Sequence, residues 1–129
     1  MEFHHVAVAV KDIRKATIAY ASLGYTGGPV VEDPVQKVLV SFLSREGAPT
    51  VELVQPTSED DSPVGNILAK MGPAPYHMCY VADDLEACSR ELRRAGYLMI
   101  SKPVRAAAFG KRICFLYSPD AGLVELLER

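Results

Sequence analysis

The chain has 129 residues, is 49% hydrophobic and 23% charged, and carries a formal net charge of −2 at pH 7. That profile suits one globular domain with a hydrophobic core and leaves no electrostatic footprint for nucleic acid. No apolar run approaches the roughly 20 residues of a membrane helix, and no charged leader precedes an apolar stretch, so a cytoplasmic protein without a membrane partner is expected.

In chain order, "HHVAVAV" alternates as a strand, with Val6, Val8 and Val10 on one face and His5, Ala7 and Ala9 on the other. Asp12 is placed to N-cap a helix whose apolar side is Ile13, Ala16 and Tyr20, and Gly24 stops it. Extended segments are expected at about 25–32, 37–43 and 49–55. The stretch "TSEDDSPVGNILAKMG" then reads as a linker, with a turn, a Ser-Pro start signal and a short helix at roughly 63–71. A strand at 76–82, a helix from an Asp84 cap through Ala95 to Gly96, and strands near 97–102, 111–117 and 122–127 complete the chain. Cys79, Cys88 and Cys114 are odd in number and lack CxxC spacing, which favours reduced, mostly buried thiols over a disulfide or a zinc knuckle.

The second half repeats the first. His5 to Asp12 is seven residues, as is His77 to Asp84, and the pairs Gly24-Tyr25 and Gly96-Tyr97 follow at equal distance. Further on, "VEL" begins nine residues after Phe42 and again nine residues after Phe115. This is a tandem duplication of about half the chain. It predicts one α+β domain of two βαβββ modules, about 3–57 and 74–128, joined by a linker at about 58–73 and paired about a pseudo-twofold axis.

Strand parity then places the polar residues. With Val6 and Val8 toward the helix, His5 faces away; with Val51 and Leu53 toward the helix, Glu52 shares the side of His5. The second half yields His77 and Glu125 in the same way, with Met78, Tyr80, Val124 and Leu126 inward. A single His or Glu on a strand is ordinarily hydrogen-bonded or solvated. Four at equivalent positions amid apolar strands form a plausible ligand set for one divalent ion. His4 has the opposite parity, and Tyr76 stands at its equivalent, so it is read as structural or surface.

On "HHVAVAVKDI", "VELVQPTSEDDSPVGNILAK", "YHMCYVADDLEA" and "FLYSPDAGLVELLE", the chain resembles the vicinal-oxygen-chelate superfamily over essentially its whole length. That superfamily includes glyoxalase I, methylmalonyl-CoA epimerase, extradiol dioxygenases and bleomycin-resistance proteins. The linker makes the resemblance closest to methylmalonyl-CoA epimerase-like proteins. The resemblance implies a cup-shaped mixed sheet built from the paired modules. It also implies a divalent ion (Zn, Ni, Co, Mn or Mg) on His5, Glu52, His77 and Glu125, and a homodimer. Whether the cup closes within one chain or across two stays open. The implied chemistry is removal of a proton next to a carbonyl, with the ion stabilising the enolate. Glu125 would be one base and Glu52 a second.

Three departures surround the substrate end. Val35 stands where epimerases usually carry a Glu, leaving Glu32, Asp33 or Glu52 as substitutes. The usual glycine-rich segment is "AAAFGK", and Tyr117 replaces a usual His. Lys102, Arg105, Lys111 and Arg112 either hold a substrate phosphate or carboxylate or form a solvated basic rim; Lys111, Arg105 and Tyr117 are the expected substrate contacts. Arg90, Arg93 and Arg94 belong on the outer helix face. Three functions are consistent with this pattern. The first is an isomerase or epimerase of an acyl thioester or related compound. The others are a glyoxalase I-type lyase and a non-catalytic binding or resistance protein. Retention of all four ligand types argues against the third, and Glu52 would fill the open position of an extradiol dioxygenase.

Overall fold

The computed structural model describes residues 1–58 and 62–129. The turn expected within the linker falls on residues 59–61, outside the described residues. The elements run β1 (Glu2–Ala9), α1 (Ile13–Ala21), β2 (Thr26–Gly27), β3 (Val31–Asp33), β4 (Val38–Ser44), β5 (Val51–Pro56), α2 (Pro63–Met71), β6 (Ala74–Ala82), α3 (Leu85–Arg94), β7 (Leu98–Met99), β8 (Val104–Ala106), β9 (Lys111–Ser118) and β10 (Gly122–Glu128). They form two compact units, one of residues 5–76 and one of residues 77–129 with the first four residues. None of the described helices is long and apolar enough to cross a membrane.

Each unit is a mixed sheet with a helix on one face. In the first, β1 pairs with β5 in parallel, β5 with β4 antiparallel, and both β2 and β3 with β4. In the second, β6 pairs with β10 in parallel, β10 with β9 antiparallel, and β7 and β8 with β9. The parallel pair is possible because a helix separates its strands in sequence. The segments expected as single strands at 25–32 and 97–102 are each split in two. Gly28 donates its N–H to the Phe42 carbonyl, and a Cβ on Gly28 would stand 2.9 Å from that oxygen. Pro29 then lacks an N–H for the ladder, and Pro103 acts likewise before β8. Each module is therefore βαβββ with its second strand broken into two short pieces.

The shared helix signals are explained by hydrogen bonds. Asp12 accepts from the Arg14 and Lys15 amides, Asp84 from Ala87, and Ser62 from Gly65 ahead of Pro63. The repeated Gly-Tyr is a helix stop with an apolar latch. Gly24 (φ +89) and Gly96 (φ +104) take the left-handed conformation, and the following amides reach back, Tyr25 to the Tyr20 carbonyl and Tyr97 to Leu92. Tyr25 meets Tyr20 edge-on with ring centroids 5.6 Å apart, and Tyr97 packs in the core with Leu92.

The helix-side cores follow the expected parity. Val8, Val10, Ile13, Leu43, Val51 and Leu53 close the first, with Ala16 and Tyr20 at its edge. Ala82, Leu85, Cys114, Leu116 and Leu126 close the second. Met78 departs from its inward assignment and is 51% exposed. The α3 core takes Tyr80 and Ala82 from β6, so its coverage begins two residues beyond Met78, whose sulfur accepts from the Tyr80 hydroxyl at 3.8 Å. A third cluster lies on the other face of the second sheet: Cys79, Ala106, Ile113 and Leu127, flanked by Val104, Phe109 and Phe115. His4 is half-buried, edge-on to Phe109 at 5.5 Å, which fits its structural reading.

Arg112 ties α3 to the sheet. Its guanidinium donates to both oxygens of Glu128 on β10 and both of Glu86 on α3. These hydrogen bonds hold both carboxyls below their usual titration range. Their contribution to stability is present above the unfolded carboxylate pKa and is lost as pH falls through the lowered folded values. The groups are partly exposed, so the effect is modest, with the two-sided bidentate geometry as its main support. Arg112→Met should therefore flatten the loss of stability from about pH 6 to about pH 3. Urea unfolding across that range checks this, and an acid limb as steep as that of the parent would contradict it.

Candidate functional site

The parallel ladders set the site. In the first unit β1 and β5 align Ala7 with Glu52, and His5, two residues before Ala7, lies diagonally from Glu52 on the same face. In the second unit β6 and β10 align Cys79 with Glu125, and His77 stands two residues before Cys79. His5 Nε2 lies 3.3 Å from Glu52 Oε1, and His77 Nε2 lies 3.7 Å from Glu125 Oε1. All four side chains are buried: His5 is 0% exposed, Glu52 5%, His77 4% and Glu125 3%. Burying such groups costs free energy unless they are paired or coordinate an ion, and each His is paired with its Glu at the same register in both units.

Each pair has an aromatic neighbour that sequence reasoning used only as a marker of the repeat. Phe42 on β4 is directly opposite Glu52, and Phe115 on β9 is directly opposite Glu125. Phe42 meets the His5 ring at 5.3 Å and 77°, and Phe115 meets His77 at 5.2 Å and 74°. The recurrence of Phe at the same offset before "VEL" was the available signal.

The expected substrate contacts separate. Tyr117 is opposite Leu123, one step along the face from Glu125, and 40% exposed. Lys111 shares that face at the far end of β9, beyond the apolar cluster of Ile113, Leu127 and Ala106. Arg105 is opposite Arg112, on the face that carries α3, and its guanidinium donates to the Gly110 carbonyl. It is not brought near Glu125. Of the residues beside Val35, Glu32 is opposite Leu39, on the side of the sheet away from Glu52, and is exposed. Asp33 shares the face of Glu52 but is engaged in its own turn, accepting from the Val35 and Gln36 amides and the Gln36 side chain. Val35 is 66% exposed at the tip of that turn.

With this geometry in place, similarity to known proteins becomes informative. Residues 4–115 match the profile of the Glyoxalase/Bleomycin resistance protein/Dioxygenase superfamily. The chain is 34% identical over 127 residues to the mitochondrial methylmalonyl-CoA epimerase of Homo sapiens, spanning 95% of this chain and 71% of that protein. It superposes on the crystal structure of methylmalonyl-CoA epimerase from Mycobacterium tuberculosis with a TM-score of 0.86 at 28% identity, covering 98% of this chain and 87% of the other. A methylmalonyl-CoA epimerase solved in complex with methylmalonyl-CoA and NH4+ gives 0.84 at 28% identity, covering 98% and 93%.

Among the described residues no disulfide joins the three cysteines; Cys79 and Cys114 are buried and Cys88 is half-buried. Burial first, and the charge of Glu125 second, push the Cys114 thiol up to about 11. Thiolate is the reactive form, so Cys114 is doubly protected. Alkylation of the native protein at about pH 8 should modify Cys88 ahead of Cys79 and Cys114, with all three equal after unfolding. Peptide mass mapping checks this, and early modification of Cys114 would contradict the burial.

Proposed function

Because the chain belongs to the glyoxalase/bleomycin resistance protein/dioxygenase superfamily, we propose that it removes and returns a proton at the carbon next to the carbonyl of an acyl thioester. The reaction would be an epimerisation of the methylmalonyl-CoA type. The observation that carries this reading is the buried His–Glu pair repeated at one register in both halves. Relatives named as methylmalonyl-CoA epimerases, one of them solved with methylmalonyl-CoA, support the substrate class.

Under this proposal His5, Glu52, His77 and Glu125 hold one divalent ion, and residues 1–129 act as one domain because both pairs contribute. The donor set fits such an ion. It is two imidazole nitrogens and two carboxylates, a mixed N/O set open to Zn, Ni, Co, Mn or Mg. Adjacent ligands at about 2.0–2.2 Å from one ion lie about 2.8–3.6 Å apart when the angle between them is about 90–110°. The 3.3 Å separation falls inside that range, and 3.7 Å lies just outside it. A bound ion would supply positive charge to offset the negative charge that develops on the substrate oxygen. Glu125 takes the proton from the carbon, and its burial keeps competing water away from the carboxylate. Glu52, starting as the neutral carboxylic acid turned away from the ion, would give its proton to the opposite side, so that each turnover leaves Glu125 protonated and Glu52 ionised, ready for the reverse direction. Asp33 is committed to its turn and position 35 is Val, so neither competes for that role. Tyr117, one step from Glu125, contacts the substrate, and Lys111 is too far along the strand for more than its polar tail. The protein is also proposed to work as a homodimer, so light scattering at micromolar concentration should give twice the chain mass, and a monomer would contradict it. Its cytoplasmic location rests on the sequence alone; the human relative is named mitochondrial.

A glyoxalase I-type lyase is the second reading, favoured by one observation. With Val35 at the turn tip, the carboxylates of the two pairs are Glu52 and Glu125, a two-carboxylate arrangement that would also serve a thiol–ketoaldehyde adduct. Two buried His–Glu pairs argue against a non-catalytic binder, the third reading.

Proton exchange in heavy water, followed by NMR against acyl-CoAs and hemithioacetals, separates these readings. Purified protein should carry about one divalent ion per chain. Glu125→Gln should keep most of the metal and slow exchange by roughly 10²–10⁴-fold. His77→Ala should lose metal and exchange together. Glu52→Gln should cripple exchange of one substrate enantiomer while sparing the other. Full metal and full exchange in all three variants would sink the proposal, and exchange confined to hemithioacetals would select the lyase.

A further inference from the structure

We propose that Phe42 and Phe115 are positioning residues that fix the ring orientation of His5 and His77, an inference that rests on the metal site proposed above. Three facts point the same way. Each Phe is directly opposite the Glu of its own pair in the antiparallel ladder. Each meets the His of that pair edge-on, at 5.3 Å and 77° in one half and 5.2 Å and 74° in the other. The two arrangements agree to 0.1 Å and a few degrees although the halves differ over most of their sequence. An edge-to-face pair prefers this perpendicular geometry because the positive ring edge meets the negative face.

The chemistry explains why the rings need fixing. A histidine side chain on a strand has two torsions and two ring nitrogens. Only one setting of both aims Nε2 toward the carboxylate on the neighbouring strand. The residues flanking each His–Glu pair on this face are small or aliphatic: Ala7 and Val54 in the first half, Cys79 and Leu127 in the second. The Phe ring stands nearly perpendicular to the imidazole beside it. A hydrogen-bonded outer partner commonly performs this task for a metal-ligating His. In each half the perpendicular aromatic contact adds a packing restraint on the same ring.

The test uses Phe42→Leu and Phe115→Leu, which keep apolar bulk but remove the ring, and Phe42→Tyr and Phe115→Tyr, which keep the ring. In the metal-free protein, 1H–13C spectra of the imidazoles should show ring-current displacement of His5 and His77. Phe42→Leu should abolish it for His5 only, and Phe115→Leu for His77 only, with both Tyr variants retaining it. Equilibrium dialysis with Zn²⁺ should show affinity reduced by roughly 10–100-fold in each Leu variant and restored in each Tyr variant. Unchanged imidazole spectra and unchanged Zn²⁺ affinity in the Leu variants would overturn the positioning role, as would equal losses in the Leu and Tyr variants. Should the parent protein take up no Zn²⁺, the proposed metal site falls, and the metal-free imidazole spectra alone then judge the role of the two rings.

Discussion

The parallel pairing of the first and last long strands in each half is the constraint on which the rest depends. It sets Glu52 against Ala7 and Glu125 against Cys79, and so places each Glu diagonally from a His two residues earlier. A slip of one residue would send His and Glu to opposite faces, because side chains alternate along a strand. The hydrophobic alternation holds the register. Val8 and Leu53, or Tyr80 and Leu126, must meet the helix, and the polar pair is forced to the other side.

The helices serve that register. Asp12 and Asp84 start α1 and α3 at the same distance after the strands, and the Gly-Tyr latches end them at equivalent points. The chain therefore enters the rest of each sheet from the same direction in both halves. Arg112 adds a lock in the second half alone, between α3 and β10. The first half closes its helix differently, with the Ile13 amide donating to the Gln55 side chain. Sequence divergence between the halves is thus absorbed on the helix side, while the geometry of the His–Glu–Phe groups is kept.

Divergence is also concentrated around the polar groups' neighbours along the strand. In the second half, Leu98 and Tyr117 face each other across the ladder and both are exposed, whereas the first half has Thr26 and Ser44 at the equivalent positions. The turn after β3 carries exposed Val35 and a buried Asp33 that its own backbone occupies. Membership of the superfamily fixes the scaffold but not the substrate.

The sequence by itself determined the repeat, both helix caps, the linker helix, the helix-side core and the four His and Glu positions. Those features rest on local periodicity and on spacing, which survive without knowledge of any partner strand. Tertiary structure decided the rest. It broke the strands at 25–32 and 97–102, because Gly28 must approach the Phe42 carbonyl closely and Pro29 and Pro103 withhold an N–H. It left Met78 exposed, because helix cover begins further along β6 than parity alone can tell. It turned Arg105 to the face opposite Glu125 and committed Asp33 to its turn, because a side chain's face depends on which residue its strand is registered against. Cross-strand pairing also made Phe42 and Phe115 neighbours of the two histidines: contacts between residues far apart in the chain are fixed by ladder register, and no local pattern encodes that register.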